Sequence, residues 1–188
     1  QQVLVCDIGG GTSDFSLIGI NRENHDLNFQ RLAVGEHLLL GGDNLDIALA
    51  YYLEPHFSQS KSLSPKDWGK LISQCRQAKE TLFQKDGPNT WPITLATSGK
   101  SLIANTLKKD LQKDDAAKLF LEGFLPLCNY NDSPSSQQTG FQEFGLPYAS
   151  DSAMTKHLAA FLNKLLPPNQ MPSSVLSSGG VFQAPRFK

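Results

Sequence analysis

Val3-Leu4-Val5-Cys6-Asp7-Ile8-Gly9-Gly10-Gly11-Thr12-Ser13-Asp14-Phe15-Ser16-Leu17-Ile18 places two short runs suited to strands on either side of three consecutive glycines. The first run is rich in β-branched residues and too short for a helix. The second alternates Phe15 and Leu17 with Ser16 and Ile18 until Gly19 breaks it. The pattern predicts a β-hairpin with a tip the size of a phosphate. Glycines carry no Cβ, so successive backbone N–H groups can converge on one anion. Asp7 stands at that tip, where a carboxylate would be repelled by bare phosphate. It makes sense there if Mg²⁺ lies between the two, reached through water, or if it orients or deprotonates an attacking water. Thr12 adds a hydroxyl donor at the same end. On the glycines alone, a tight turn with an incidental Asp is the competing reading.

The rest of the chain bounds the class. A 188-residue chain can bury on the order of 70% of its unfolded surface, enough for one domain or two small subdomains. Seventeen basic and 18 acidic residues leave a formal charge of -1, with no electrostatic footprint for nucleic acid or an anionic membrane. No apolar run approaches the ~20 residues that span a bilayer, and the N-terminus lacks the pattern of a signal peptide. Cys6, Cys75 and Cys128 are odd in number and widely spaced, which suits reduced, buried thiols and a cytoplasmic location. The chain opens two residues before a strand and stops at Arg186-Phe187-Lys188, and is expected to be a piece of a longer protein.

After the hairpin, Leu27 to Val34 reads as a third strand with a slip in register. Asp43 or Asn44 caps a helix with the stripe Leu45, Ala48, Leu49, Tyr52, Leu53. Ser64, Pro65 and Asp67 open a second helix, which buries Trp68, Leu71, Ile72, Cys75, Ala78 and Leu82. Trp91 to Ala96 and Leu102 to Leu111 are expected strands. The Gly99-Lys100-Ser101 between them is no P-loop, because that motif needs a glycine where this chain has Thr94. A helix from Lys113 to Phe124 turns Ala117, Phe120, Leu121 and Phe124 inward. Pro126 to Ser150 has no period, and a loop of that length is usually functional or mobile. Ser152 to Leu166 is a helix with Met154, Leu158, Phe161, Leu165 and His157 on one side, His157 being read as a structural or surface residue for want of a second ligand at i±4. Val175 to Ser178 is a last strand running into Gly179-Gly180.

The string Asp7 to Ile18 resembles the second phosphate-binding motif of the actin-like ATPase superfamily and, within it, of the DnaK-type heat-shock chaperones. Three further stretches are similar to that family's second nucleotide-binding lobe, in its order: His37 to Asp46, Cys75-Arg76-Gln77-Ala78-Lys79-Glu80-Thr81-Leu82, and Val175-Leu176-Ser177-Ser178-Gly179-Gly180. Gly140 to Pro147 looks like a feature of a bacterial subgroup. The resemblance implies that Gly9, Gly10, Gly11 and Thr12 hold the β- and γ-phosphates of ATP or ADP, that Asp7 sits near Mg²⁺ and the hydrolytic water, and that Gly179 and Gly180 admit the nucleoside. Lys79 falls where the family places a lysine beside the ribose. Against the family pattern, Arg76 replaces Glu, Glu80 replaces Arg, Phe83 and Val181 replace Ser, and Gln183 replaces a second Arg over the base. Phe83 is then either a ring over the base or a core residue closing the helix end, and Gln183 borders the base.

The reading is therefore an α/β fold: one lobe of an actin-like, ribonuclease H-like ATPase, a mixed sheet with helices plus a smaller α/β subdomain. Its expected parts are a phosphate- and nucleoside-binding core from 1–39 and 151–188, a smaller subdomain from 40–111, and a helix with a long insertion from 112–150. The implied function is Mg·ATP binding by a chaperone that hydrolyses ATP only with its first lobe, whose phosphate motif and lysine are not in this chain. The partners implied are ATP, that lobe, a client-binding region, and a nucleotide exchange factor or co-chaperone. The altered base pocket keeps a pseudo-ATPase sensor open as the alternative; a sugar kinase or filament protein fits the Cys75 helix less well.

Overall fold

The computed structural model describes residues 1–23, 26–58, 62–96, 106–135, 151–168 and 170–184. The loop around Gly99-Lys100-Ser101, the Gly140 to Pro147 stretch and the terminal Arg186-Phe187-Lys188 lie outside the described residues. The chain divides into two compact units, Gln1–Gly42 with Glu122–Gln183, and Asp43–Leu121.

In the first unit, β1 (Gln2–Ile8) and β2 (Ser13–Glu23) form the hairpin that the glycine triplet predicts, with Asp7 opposite Asp14. β3 (Asp26–Val34) adds antiparallel to β2, and β6 (Ser174–Ser178) adds parallel to β1, giving the sheet order β3-β2-β1-β6. Leu32 is the slipped residue, since Leu17 faces Ala33 and Ile18 faces Arg31. Alternation sets the two faces of the sheet. Leu4, Cys6 and Ile8 of β1 and Phe15 and Leu17 of β2 are buried, while Asp7 is exposed. Helix α4 (Met154–Leu165) packs on the buried face, with Phe161 and Phe15 ring centroids 6.1 Å apart. His157 Nε2 bonds the carbonyl of Asp151 at 2.8 Å, a structural role. Leu165, read as inward, is 41% exposed; Ala159 and Leu162 supply the buried contacts of α4 beside Met154.

In the second unit, α1 (Gly42–Phe57, its first residue in the other unit) and α2 (Pro65–Leu82) bury Leu45, Leu49, Leu53, Leu71, Cys75, Ala78 and Leu82. Fully buried leucines of this kind each stabilise the fold by about 2 kcal/mol. The stripe on α1 is rotated from the expected one. Ala50 and Phe57 are inside, and Tyr52 turns out to donate its hydroxyl to Asp115 at 3.2 Å. Ser64 caps α2 by accepting from the Asp67 amide. β4 (Thr90–Ala96) and β5 (Thr106–Gln112) pair antiparallel, and residues 102–105 of the expected second strand lie outside the described residues. Gln74 of α2 clips onto this hairpin through both the N–H and the C=O of Thr94. Helix α3 (Lys113–Gly123) follows directly, with Leu121 on its outer side.

Candidate functional site

Because β1 and β6 are parallel neighbours with Asp7 aligned to Ser178, the chain leaves both strands at one end of the sheet. One exit is the glycine triplet and the other is Gly179-Gly180, so the two motifs meet although they are about 170 residues apart. Ligands of sheets with parallel strands bind outside these carboxyl ends. Gly179 has φ +95°, and a Cβ there would enter the backbone of Ile8. Only glycine allows this approach.

The tip is braced from behind. Gly9 donates its N–H to Thr12 O at 2.8 Å and accepts from Gly42 N–H at 3.1 Å, so Gly9 serves the turn itself. Gly10 and Gly11 are exposed and Thr12 is half-buried. Gly41 packs flat on the tip, where a Cβ would lie 2.5 Å from Gly10 O. Ser13, fully buried, exchanges backbone bonds with Leu38 and donates its hydroxyl to Leu40 O at 2.7 Å. These bonds hold His37 over the hairpin, and its Nδ1 lies 2.8 Å from Asp14 Oδ1. Sequence reading missed Ser13, Asp14, His37 and Gly41 as a set. Their common signal, polar or glycine positions within and beyond the motif, acquires meaning only when β3 returns the chain to the tip.

Asp7 is exposed beside this cradle. Among the described residues no group of three His, Cys, Asp or Glu side chains could hold a metal ion. That fits a magnesium ion carried largely by phosphate oxygens and water, which needs one or two carboxylates and no cage. The glycine tip and the Gly179 turn fit a nucleotide, because each offers backbone where side chains would block an approach. A cavity of about 290 Å³ lined by Phe15, Val34, Leu38, His157 and Phe161 lies elsewhere, on the α4 side of the sheet, with no tip residue among its walls.

The remaining candidates lie apart from the tip residues in the chain. Gln183 is exposed at the end of the short 3-10 turn Gly180–Gln183. Lys79 and Phe83 belong to the second unit. Phe83 ends α2 and is 5% exposed, the burial of a core ring; stacking on a base would require it to leave that position. Lys79 Nζ lies 2.6 Å from Asp46 Oδ1, with the two side chains 15% and 3% exposed. The two form a buried ion pair. Burial pushes the Asp46 carboxyl up to about 6, more than Lys79 draws it down. Arg76 pairs with Glu80 at 3.3 Å and reaches Asp43 at 4.0 Å, so two of the residues that depart from the family pattern pair with one another. Cys75, beside this group, is pushed up to about 12 by burial and by Asp46, and is an inert thiol.

The sequence matches the family model described as Hsp70 protein over residues 1–122, from β1 through the glycine tip and both long helices to α3. It is 32% identical over 120 residues to the "Chaperone protein HscA homolog" of Colwellia psychrerythraea, covering 58% of this chain and 19% of that protein. It is 34% identical over 92 residues to the protein of the same name in Rickettsia akari, covering 49% and 14%. For the Shewanella piezotolerans protein of that name the figures are 36% over 106 residues, 55% and 16%. The chain thus spans about a fifth or less of the length of these relatives. With the family model covering well over half of the chain, and a mixed α/β fold of the actin-like ATPase kind carrying its motifs, this chain belongs to the Hsp70 family.

Proposed function

We propose that this chain is the second nucleotide-binding lobe of an ATP-dependent chaperone, taking Mg·ATP with a first lobe supplied by the full-length protein. The observation that carries the reading is the meeting of the braced glycine tip, the Gly179 turn and the exposed Asp7 at the carboxyl ends of β1 and β6. In this reading Gly10, Gly11 and Thr12 donate backbone N–H groups, and Thr12 its hydroxyl, to phosphate oxygens. Gly9 and Gly41 hold that loop in shape. Gly179 and Gly180 let the nucleoside come close to the backbone, with Gln183 at its edge and Lys79 at the ribose. Asp7 orients water, including the water through which it reaches Mg²⁺. The bound Mg²⁺ neutralises charge that develops on the phosphates. Phosphoryl transfer needs donors on both sides of the γ-phosphate, which one lobe does not provide. Co-chaperone or exchange-factor binding and a cytoplasmic location belong to the same proposal, the latter supported by three free cysteines.

The test is Asp7→Asn in the full-length protein, expected to keep the fold and cut ATP turnover by roughly 10² or more. Turnover near the wild-type rate would remove Asp7 from the chemistry. A second reading, a sensor that binds nucleotide and barely hydrolyses it, is favoured by one observation: Phe83 is in the core and Arg76 and Glu80 face each other, so α2 does not present the family's usual base contacts. An Asp-x-Gly-Thr phosphate motif in the full-length chain would decide against the sensor.

A further inference from the structure

A peptide group is planar and trans, so its C=O and N–H point to opposite sides. At the glycine tip this geometry decides where two donors aim. Gly9 O accepts from Gly42 N–H at 3.1 Å, and a Cβ on Gly41 would lie 2.5 Å from Gly10 O and 2.7 Å from Gly9 O. Both carbonyls therefore turn back toward the Gly41-Gly42 backbone. The N–H groups of Gly10 and Gly11, which share those peptide planes, turn away from it, on the exposed side of the tip. One hydroxyl fixes the other half of this contact. Ser13 falls in the buried row of β2 with Phe15 and Leu17, where alternation favours an apolar side chain. Its Oγ donates to Leu40 O at 2.7 Å, while Met154 Sδ, a weaker acceptor, lies 3.7 Å away. Leu40 C=O and Gly41 N–H are one peptide group, so this bond sets the plane from which Gly41 meets the tip.

We propose that Ser13 is a positioning residue for phosphate binding: through Leu40 and Gly41 it keeps the Gly9 and Gly10 carbonyls turned back, and so the Gly10 and Gly11 N–H groups turned toward the phosphates. This rests on the reading of the tip as the phosphate site. Ser13 touches no ligand itself, because its hydroxyl is fully buried and engaged by Leu40. Every residue in this chain of contacts belongs to the first unit. Leu40 is 1% exposed, so without the hydroxyl its carbonyl loses a donor where water does not readily replace it. The Leu40-Gly41 peptide is then free to tilt, and the tip relaxes with it. Binding must first restore the aim of the two donors, which weakens affinity for the phosphates. A nucleoside makes no use of these donors and is unaffected.

The experiment is calorimetric titration of Mg·ADP and of adenosine into the full-length protein, counting the folded fraction by circular dichroism. The ratio of the two affinities isolates what the phosphates contribute. It compares wild type, Ser13→Ala and Ser13→Cys, the last of which keeps the volume but offers only a weak donor. Both variants should lower the ratio about ten-fold, the scale of one buried hydrogen-bond partner lost, with adenosine affinity within about two-fold of wild type. An unchanged ratio in a folded variant overturns the positioning role. An equal fall for both ligands overturns it too, since a residue that only braces the fold would weaken them alike. Should the wild type bind Mg·ADP no more tightly than adenosine, the reading of the tip as a phosphate site fails, and the positioning role with it. Should Ser13→Ala fail to fold, Ser13→Cys, which leaves no cavity, decides by the same ratio.

Discussion

Asp151 in the first unit and Asp46 in the second are 7% and 2% exposed, yet their carboxyls shift in opposite directions. Burial by itself pushes Asp151 up. The backbone N–H groups of Ser135 and Ala153, both 2.9 Å away, and Lys156 at 3.1 Å outweigh it and hold the carboxyl below its ordinary value. Asp46 meets a cation closer still, at 2.6 Å, and rises to about 6. The difference lies in the number of donors. Three N–H groups replace the water that Asp151 loses, whereas one ammonium does not replace what Asp46 loses.

The contrast predicts opposite dependence on pH. A carboxyl raised from 3.8 to about 6 binds its proton more tightly in the folded than in the unfolded protein, so stability falls as pH rises across that window. The displacement corresponds to about 3 kcal/mol. Asp151, lowered on folding, stabilises above its unfolded value, and that contribution is lost as pH falls through its folded value. The largest expected effect follows from removing the cation that Asp46 has. Lys79→Met should cost about 3 to 5 kcal/mol at pH 7.5, the range for stranding a buried charge, and recover much of it at pH 5. Adding Asp46→Leu should return the protein to within about 1 kcal/mol of wild type. Urea titrations at the two pH values check both statements. A double variant as unstable as Lys79→Met would mean that the pair is worth more than its desolvation costs.

A smaller effect belongs to Asp151. Asp151→Asn keeps the shape but loses the charge and one acceptor, so about 2 kcal/mol should be lost, on the scale of hydrogen bonds to a charged group. Here the loss should be largest at neutral pH and shrink in acid, the reverse of Lys79→Met only in its cause. Amide hydrogen exchange in α4 and at Ser135 reads it locally. Protection unchanged in α4 would show that the three donors find other acceptors, and that their number does not explain why Asp151 and Asp46 differ.

The sequence made the hairpin and the helices legible because each depends on local period or on glycine chemistry. Phe15 and Leu17 alternate and are buried; Ser64-Pro65 opens a helix that begins there. Less was visible where a contact joins distant residues. Asp46 reads as an acidic residue near a helix start, and Lys79 as a basic one near a helix end, both ordinary surface choices. A faint signal existed, since each flanks an apolar stripe, Leu45 and Leu49 in one case and Ala78 and Leu82 in the other. Their depth follows from how α1 and α2 pack, which periodicity leaves open. The same gap turned Tyr52 and Leu165 outward. It also leaves Leu27, Phe29 and Val34 of β3 exposed although their pattern reads correctly as a strand, because alternation marks a strand without saying what covers it.

The smallest effect comes from a third carboxylate, which separates distance from burial. Asp14 meets His37 Nδ1 at 2.8 Å, closer than Asp151 comes to Lys156, but the two side chains are 44% and 60% exposed. Water can replace either partner there. An exposed pair of this kind is worth under about 1 kcal/mol, and salt screens it. Replacing His37 by Asn should therefore shift the urea midpoint of the full-length protein by little, and by less still at 0.5 M salt. The loop that carries His37 is held independently through Ser13, Leu38 and Leu40, so its position should survive the substitution. If His37→Asn instead cost as much as Asp151→Asn, short distance alone would account for the energetics, and the donor count that distinguishes Asp151 from Asp46 would lose its force.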